Sequence, residues 1–334
     1  MAEGIKALRK IQLGRETTAG TAVAATTRWR GMGAIQDDRV VEFPEEDVGI
    51  LSGTDRSYVS KLAASISFDS VPATFEQLPH IFEAGIMTDT AAADGGGSGY
   101  IYQYDVPTTA ANTIKTYTIE GGDNIQAEEM EYSFVKDFSI SGNAGEAWMA
   151  SANWTGRQVS KASFTAAGSA SIPDVEEILT SKTKLYIDNA TGTAGTTQVS
   201  NTVLSFDLSG NTGWQEVFTA DGNLYFSFAK HTMPEFTLNV TFEHNSTAVA
   251  QKDAWIAETA KVLQLKGEGS AFTTAGTYTY KTAILELPGK WESFESLGEQ
   301  DGNDIVSGTF RVRYNSDVGH AGRFIVVNDL SALP

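Results

Sequence analysis

Four histidines, His80, His231, His244 and His320, are the first places to look for acid–base or metal chemistry in this chain. No two of them have metal-ligand spacing, and no HExxH occurs. His80 and Glu83 stand three apart, on one face of any helix that carries them, and a solvated polar face is the expectation there. Cysteine is absent, which removes disulfides, thiol nucleophiles and thiolate metal sites. There is no GxSxG, Walker loop or dinucleotide fingerprint. Asp94-Gly-Gly-Gly-Ser-Gly99 is glycine-rich but lacks the Lys and the following helix of a phosphate cradle, so it reads as a flexible loop tip. Asp301-Gly302-Asn303-Asp304 starts like a calcium loop without the alternating ligands or the closing Glu, and reads as a hairpin turn. Glu45-Glu46-Asp47 reads as solvated loop. Asn153-Trp-Thr155, Asn189-Ala-Thr191 and Asn245-Ser-Thr247 match the glycosylation sequon with no secretory signal to give it meaning. Catalysis needs a convergent acid, base, nucleophile or metal. None assembles, so the expectation is no enzyme, with no catalytic, cofactor-binding or metal residues.

The elements that would have to position such groups are strands. Short alternating segments are separated by Gly, Asn, Asp, Ser and Thr clusters. Leu62, Ala64, Ile66 and Phe68 share one strand face, as do Phe236, Leu238, Val240 and Phe242, with polar residues between them. That period describes half-buried antiparallel sheet. Further strands are predicted at 114–119, 132–141, 148–155, 184–188, 203–208, 224–228, 278–287, 305–314 and 324–327. Two helices are predicted: one around Leu78, Ile81 and Phe82 with Pro79 in its first turn, and one from Ala248 to Gln264, capped by Ser246 or Thr247, with Val249, Trp255, Ile256 and Val262 on its apolar stripe.

These patterns repeat. Lys61–Asp69 matches Glu235–Glu243 at an offset of 174, and the same offset carries Ile11-Gln12-Leu13 onto Leu185-Tyr186-Ile187. Further on the offset becomes 156, taking Phe138 to Phe294, Trp154 to Phe310 and Arg157 to Arg313. The difference is ascribed to a longer loop, Thr88–Gly99, in the first copy, shorter near Gly267–Gly276. The expected organisation is a duplication: module A over 1–165 and module B over 170–334, joined by a linker at 166–171. The fold class is mainly β, each module an antiparallel sandwich or half-barrel with a flanking helix.

The chain has 334 residues, which suggests about two domains at ~150 residues each. Its 24 Lys and Arg against 42 Asp and Glu give a formal net charge of −18. That speaks against a protein that grips nucleic acid or an anionic membrane. A hydrophobic content of 41% with 10% aromatics is enough to pack cores. The residues after Met1 do not form a signal peptide, and no apolar run approaches the ~20 residues of a spanning helix, so synthesis in a cytoplasm and no membrane partner are expected.

The stretch Leu8-Arg-Lys-Ile-Gln-Leu-Gly-Arg-Glu-Thr-Thr-Ala-Gly-Thr-Ala-Val-Ala-Ala-Thr-Thr-Arg-Trp-Arg30 resembles the opening of tail tube (major tail) proteins of long-tailed bacteriophages, which often begin with a strand and then Gly-x-Glu-Thr-x-x-Gly-Thr-x-Val-x-Ala. Phe43–Gly49, Lys61–Asp69 and Leu78–Gly85 are similar to that family as well. The resemblance implies a structural virion protein whose modules join their inner sheets into one barrel. Rings of such barrels stack into a hollow tail tube that conducts DNA without binding it. It further implies tape-measure, tail-terminator and tail-tip proteins as partners, no cofactor, and a place in the virion tail after synthesis in the host cytoplasm. With two modules per chain, a trimer with pseudo-sixfold symmetry is favoured over a hexamer. The 37–56 and 209–222 segments, together with the arm at residues 1–10, are expected to reach the adjacent ring. The alternative is a carbohydrate-binding β-sandwich or another decoration or adhesion protein. That reading needs exposed Trp platforms, whereas the parity of Trp148 and Trp154, and Trp255 on the helix stripe, favours core positions.

Overall fold

The computed structural model describes residues 3–334. The N-terminal half contains β1 (Lys10–Arg15), β2 (Ala64–Pro72), helix α1 (Leu78–Gly85), β3 (Tyr100–Asp105), β4 (Tyr117–Gly122), β5 (Ala127–Asn143) and β6 (Met149–Gly156). The C-terminal half contains β7 (Thr183–Asn189), β8 (Val203–Asn211), β9 (Glu235–Glu243), helix α2 (Ser246–Ile256), β10 (Lys261–Ala271), β11 (Tyr280–Phe294), β12 (Asn303–Val312) and β13 (Arg323–Asn328). Shorter strands flank these, and every ladder between strands is antiparallel.

Two long strands belong to two layers each. The first part of β5 pairs with β4, and β4 with β1. Its second part pairs with β6 on one side and β8 on the other. Between them Tyr132 takes a positive φ of 54° and the register shifts, which lets one strand turn the corner of a sandwich. β11 does the same: its first part lies between β10 and β13, and its second pairs with β12.

Followed pair by pair, one layer runs Ile35–Asp37, β2, β6, β5, β8, β9, β12, β11. It is a continuous eight-stranded sheet, four strands from each half, joined where β5 meets β8. The ladders form no closed circuit: among the described residues, Ile35–Asp37 has one strand partner, and residues 290–294 of β11 have only β12.

The two halves of this sheet share their irregularities. Val135 lies opposite Trp154 and Asp137 opposite Asn153, with Lys136 bulged between; Trp291 lies opposite Phe310 and Ser293 opposite Thr309, with Glu292 bulged between. Both pairs of strands coincide at 291 − 135 = 156 residues, the offset read from sequence. On the next strand Ile66 faces Trp154 and Leu238 faces Phe310, giving 238 − 66 = 172, two short of the 174 read from sequence. A slip of two leaves every side chain on the same face, so hydrophobic pattern cannot detect it. The first strands correspond at 208 − 35 = 173, through Ile35 opposite Ile66 and Leu208 opposite Leu238.

One core runs through both halves. Phe82 of α1 packs on Tyr104, Phe138 and Phe324, and Phe236 packs on Phe138 and Phe324. Trp148 and Trp154 are fully buried, and Trp255 is half-buried against Phe294. Helix α2 is shorter than predicted: it stops at Ile256, and residues 261–271 form β10 between β7 and β11. Val262, Leu263 and Leu265 are apolar because that strand is buried on both faces, not because a helix continues. The cap is Asn245, whose side chain accepts from the amides of Thr247 and Ala248, and Val249 and Ile256 of the expected stripe are exposed.

The insertion after α1 is more than a loop. It ends in β3, which crosses to the C-terminal half and pairs with β13, tied by an Arg323–Asp105 ion pair of 2.7 Å. Asp94, expected at a flexible tip, is fully buried and accepts from the amides of Thr277 and Tyr278 at 2.8 and 2.9 Å. Asp301 and Gly302, both with positive φ, make the expected hairpin turn between residues 298–300 and 303–312.

Candidate assembly interface

The eight-stranded sheet turns its apolar face to the core and leaves the other face polar. Successive residues alternate between the two, so Ala64, Ile66 and Phe68 are buried while Ser65 and Ser67 look outward, and likewise along β9. Side chains on the outer face bind one another across strands. Ser67 donates to Asn153 Oδ1 (2.6 Å), and Asn153 Nδ2 donates to Asp137 (2.6 Å). Ser139 meets Ser151, Thr241 meets Ser307, and Thr309 donates to Asn239. Charge on this face is mostly negative: Asp69, Asp137, Asp207, Glu235 and Glu243, against Lys290 and Arg311, of which Arg311 pairs with Glu235 at 3.2 Å. Partial burial raises the pKa of Asp207 above the usual carboxylate range. Such a surface is wetted and anionic, and it repels phosphates instead of holding them.

Each half also carries a two-stranded hairpin on the link between the first and second strands of its four-stranded portion. In the C-terminal half this is Trp214–Val217 with Phe228–His231. In the N-terminal half it is Val40–Glu42 with Tyr58–Lys61. The first folds back over the N-terminal half. Trp214 and Phe226 pack on Phe134 and Tyr132 in a small separate cluster. Glu216 receives Thr155 Oγ1 at 2.8 Å and Lys136 Nζ at 3.4 Å; burial raises the Glu216 pKa, but these bonds and a backbone amide outweigh it and hold the carboxylate low. Arg157 donates to the carbonyls of Phe226 and Ser227 (3.1 and 2.7 Å) and lies over the Tyr132 and Tyr225 rings. Of residues 209–222, those up to Val217 are therefore strand and docked hairpin, while residues 218–222 belong to its exposed tip. The hairpin of residues 40–61 has no such seat: Val40, Val41, Phe43, Val48, Ile50, Leu51 and Tyr58 are all exposed. Of the expected N-terminal arm, residues 1–2 lie outside the described residues; beyond them the Ile5 amide donates to Asn124 and residues 6–8 form a single turn.

The place that most resembles a chemical site lies elsewhere. His80 and Glu83 are buried, not solvated. Arg15 Nη2 and Nε bind the two Glu83 oxygens at 2.6 and 3.0 Å, Tyr117 OH donates to Glu83 at 2.8 Å, and His80 Nδ1 lies 2.9 Å from the same hydroxyl. Because the Tyr117 proton goes to Glu83, His80 must donate from Nδ1, which fixes a neutral tautomer. Burial, aided by the Arg15 charge, lowers the His80 pKa to about 3. Burial and the Glu83 charge push Tyr117 well up. Burial opposes the Arg15 charge, but the Glu83 bonds more than compensate and raise its pKa. Beside it lies a cavity of about 630 Å³ lined in part by His80, Glu76, Lys281 and Asp329. Lys281 reaches Glu76 at 2.7 Å and Asp329 at 3.2 Å, so these three charges are paired with one another. The network is a closed set of donors and acceptors that locks α1 to β1 and β4. Among the described residues no group of three His, Cys, Asp or Glu is placed to hold a metal ion, and no helix is long and apolar enough to cross a membrane.

The sequence reading passed over β3, although Tyr100, Tyr102 and Tyr104 alternate with Ile101 and Gln103 in plain strand fashion. It also missed the pairing of the two hairpins, whose signal is only their common place between equivalent strands. A scan against protein-family models finds no matching family, and a search of curated proteins finds no relative.

Proposed function

We propose that this chain is a structural subunit of a bacteriophage tail tube: two copies of one module, closing with other chains into rings that stack into a hollow conduit for DNA. The observation that carries the reading is the β5–β8 ladder, which joins four strands of one half to four of the other with the polar, anionic face continuous across the joint. A sheet built this way and left open at both ends is completed by more of the same, which removes exposed edges. The buried Trp148 and Trp154 leave no aromatic platform for a sugar there.

Three chains of eight strands make a barrel of 24. At a spacing of about 4.8 Å and a tilt of about 40°, its backbone diameter is about 50 Å. Six chains would give 48 strands and about 100 Å. The trimer supplies six modules and is the proposed ring; tape-measure, terminator and tip proteins are its proposed neighbours in the virion tail. Negative-stain images of the purified protein test this: rings or tubes with three outer features and a lumen of about 40 Å, the backbone diameter less about 5 Å of side chain on each side, are expected. A protein that stays monomeric at high concentration overturns the reading, and a ring of six identical chains overturns the trimer.

A further inference from the structure

The hydrogen bonds of the two sheet halves can be laid over one another bond for bond. The amide of Asp69 donates to the Met32 carbonyl and that of Asp38 to the Ala63 carbonyl; at offsets of 172 and 173 these positions are the ladder pairs Ser205–Thr241 and Asn211–Glu235. The Arg157 amide donates to the Glu131 carbonyl, and the Arg313 amide to that of Pro288, one residue beyond the counterpart of Glu131 at the 156 offset. The backbone around the seat of the 214–231 hairpin thus has a counterpart on the C-terminal half, with Pro288, Lys290 and Glu292 where Tyr132, Phe134 and Lys136 stand, and among the described residues no hairpin covers it. Arg313, counterpart of Arg157, is exposed, and Tyr314 beside it is 54% exposed. The hairpin lacking a seat is the 40–61 one.

We infer that the 40–61 hairpin of one chain clasps the C-terminal half of a second copy, while residues 32–38 extend that copy's sheet beyond residues 293–299. The inference rests on the tube reading for its ring but commits to a register of its own. Within the chain β5 and β8 pair so that residue numbers sum to 348, as in Phe138 opposite Gly210 and Ser139 opposite Ser209. Adding 156 to the β5 positions and subtracting 173 from the β8 positions gives a sum of 331 between chains. Glu295 then lies opposite Gln36 of the partner subunit, and Glu292 opposite Arg39 of the partner subunit. Val41 opposite Val59 and Glu42 opposite Tyr58 correspond, at 173 and 172, to Trp214 opposite His231 and Gln215 opposite Lys230, so the two hairpins share one register. Arg313 takes the part of Arg157 and donates to the partner's backbone carbonyls at residues 54–55. The contact is head-to-tail, so it either closes a ring or runs on as a filament.

Because the chain has no cysteine, an engineered pair contains its only thiols. The Gln36→Cys/Glu295→Cys variant, mildly oxidised and run on a non-reducing gel, should give covalent dimers and trimers that collapse on reduction. Directly opposed strand positions have the Cα separation a disulfide needs. Ser139→Cys/Ser209→Cys, its internal counterpart, should close within one chain. Cross-linking of the internal pair with none between chains for the 36/295 pair, in preparations that form rings, overturns the register and leaves the tube reading intact. Intermolecular 36/295 bonds in a protein that never forms rings keep the contact and overturn the tube. As a second measurement, Arg313→Ala should raise the concentration needed for association by about tenfold, the value of a charge-assisted hydrogen bond, with no change in the melting temperature of the isolated chain. Unchanged association refutes the clasp.

Discussion

Acidification should loosen this protein through a single side chain, His80. In the folded chain its ring is buried and neutral, with its pKa lowered to about 3, whereas the unfolded chain protonates it near the ordinary histidine value of 6.5. Between those values the unfolded state binds the extra proton, so stability is lost as pH falls from about 6.5 towards 3. One pKa unit is about 1.4 kcal/mol. At pH 5, one and a half units below the unfolded value, His80 alone should cost about 2 kcal/mol relative to neutral pH. With about 2.1 cal/mol/K of unfolding entropy per residue, that is roughly 3 °C in melting temperature for a chain of this length. Several carboxylates also shift, Glu76, Glu129 and Glu131 upward by burial, and their slopes add to the raw curve. The decisive quantity is therefore the difference between wild type and His80→Asn, which keeps a donor near Tyr117 but cannot titrate. Calorimetry on the dissociated chain at pH 7 and pH 5 should show the variant losing about 3 °C less than wild type. Equal losses would refute the buried, neutral His80.

Arg15→Ala should cost about 3–5 kcal/mol in denaturant unfolding, because it leaves the buried Glu83 carboxylate without its cation. Trp154→Ala should cost a similar ~3–5 kcal/mol, since Trp154 packs on Phe68 and Tyr117 and its loss opens a cavity. Deleting residues 44–53 removes the exposed tip with Val48, Ile50 and Leu51 but spares the paired hairpin strands; in electron micrographs it should leave single rings that do not stack, and normal long tubes would show that the tip makes no contact between rings.

The strands that alternate cleanly were legible. Residues 235–243 form the strand the sequence describes to the residue, because one face packs and the other is wet. Local pattern failed where the environment is set from far away. His80 and Glu83 read as solvated because nothing nearby reveals Arg15 and Tyr117, 65 and 37 positions away. Val262–Leu265 imitates a helix because a strand covered on both faces has no alternation to show. The slip from 174 to 172 is invisible to hydrophobicity, since faces repeat every two residues. The polar sheet face was anticipated from Ser, Thr and Asn on two strands. Its continuity across β5 and β8, on which assembly turns, is a matter of register between residues some seventy apart.

The covalent link across the β5–β8 joint also changes the kinetics of assembly. Two modules tethered by a few tens of residues see each other at an effective concentration in the millimolar range, whatever the dilution of the chain. In the proposed six-module ring, half the joints would then be made during folding, and closing it would be a third-order encounter where separate modules would need a sixth-order one. Nucleation should accordingly depend on the third power of concentration, and the tethered joints cannot be lost one at a time. The two classes of joint are also free to differ: the internal one needs only to be stable, while the one between chains can stay weak enough to open, reject a misplaced neighbour and close again.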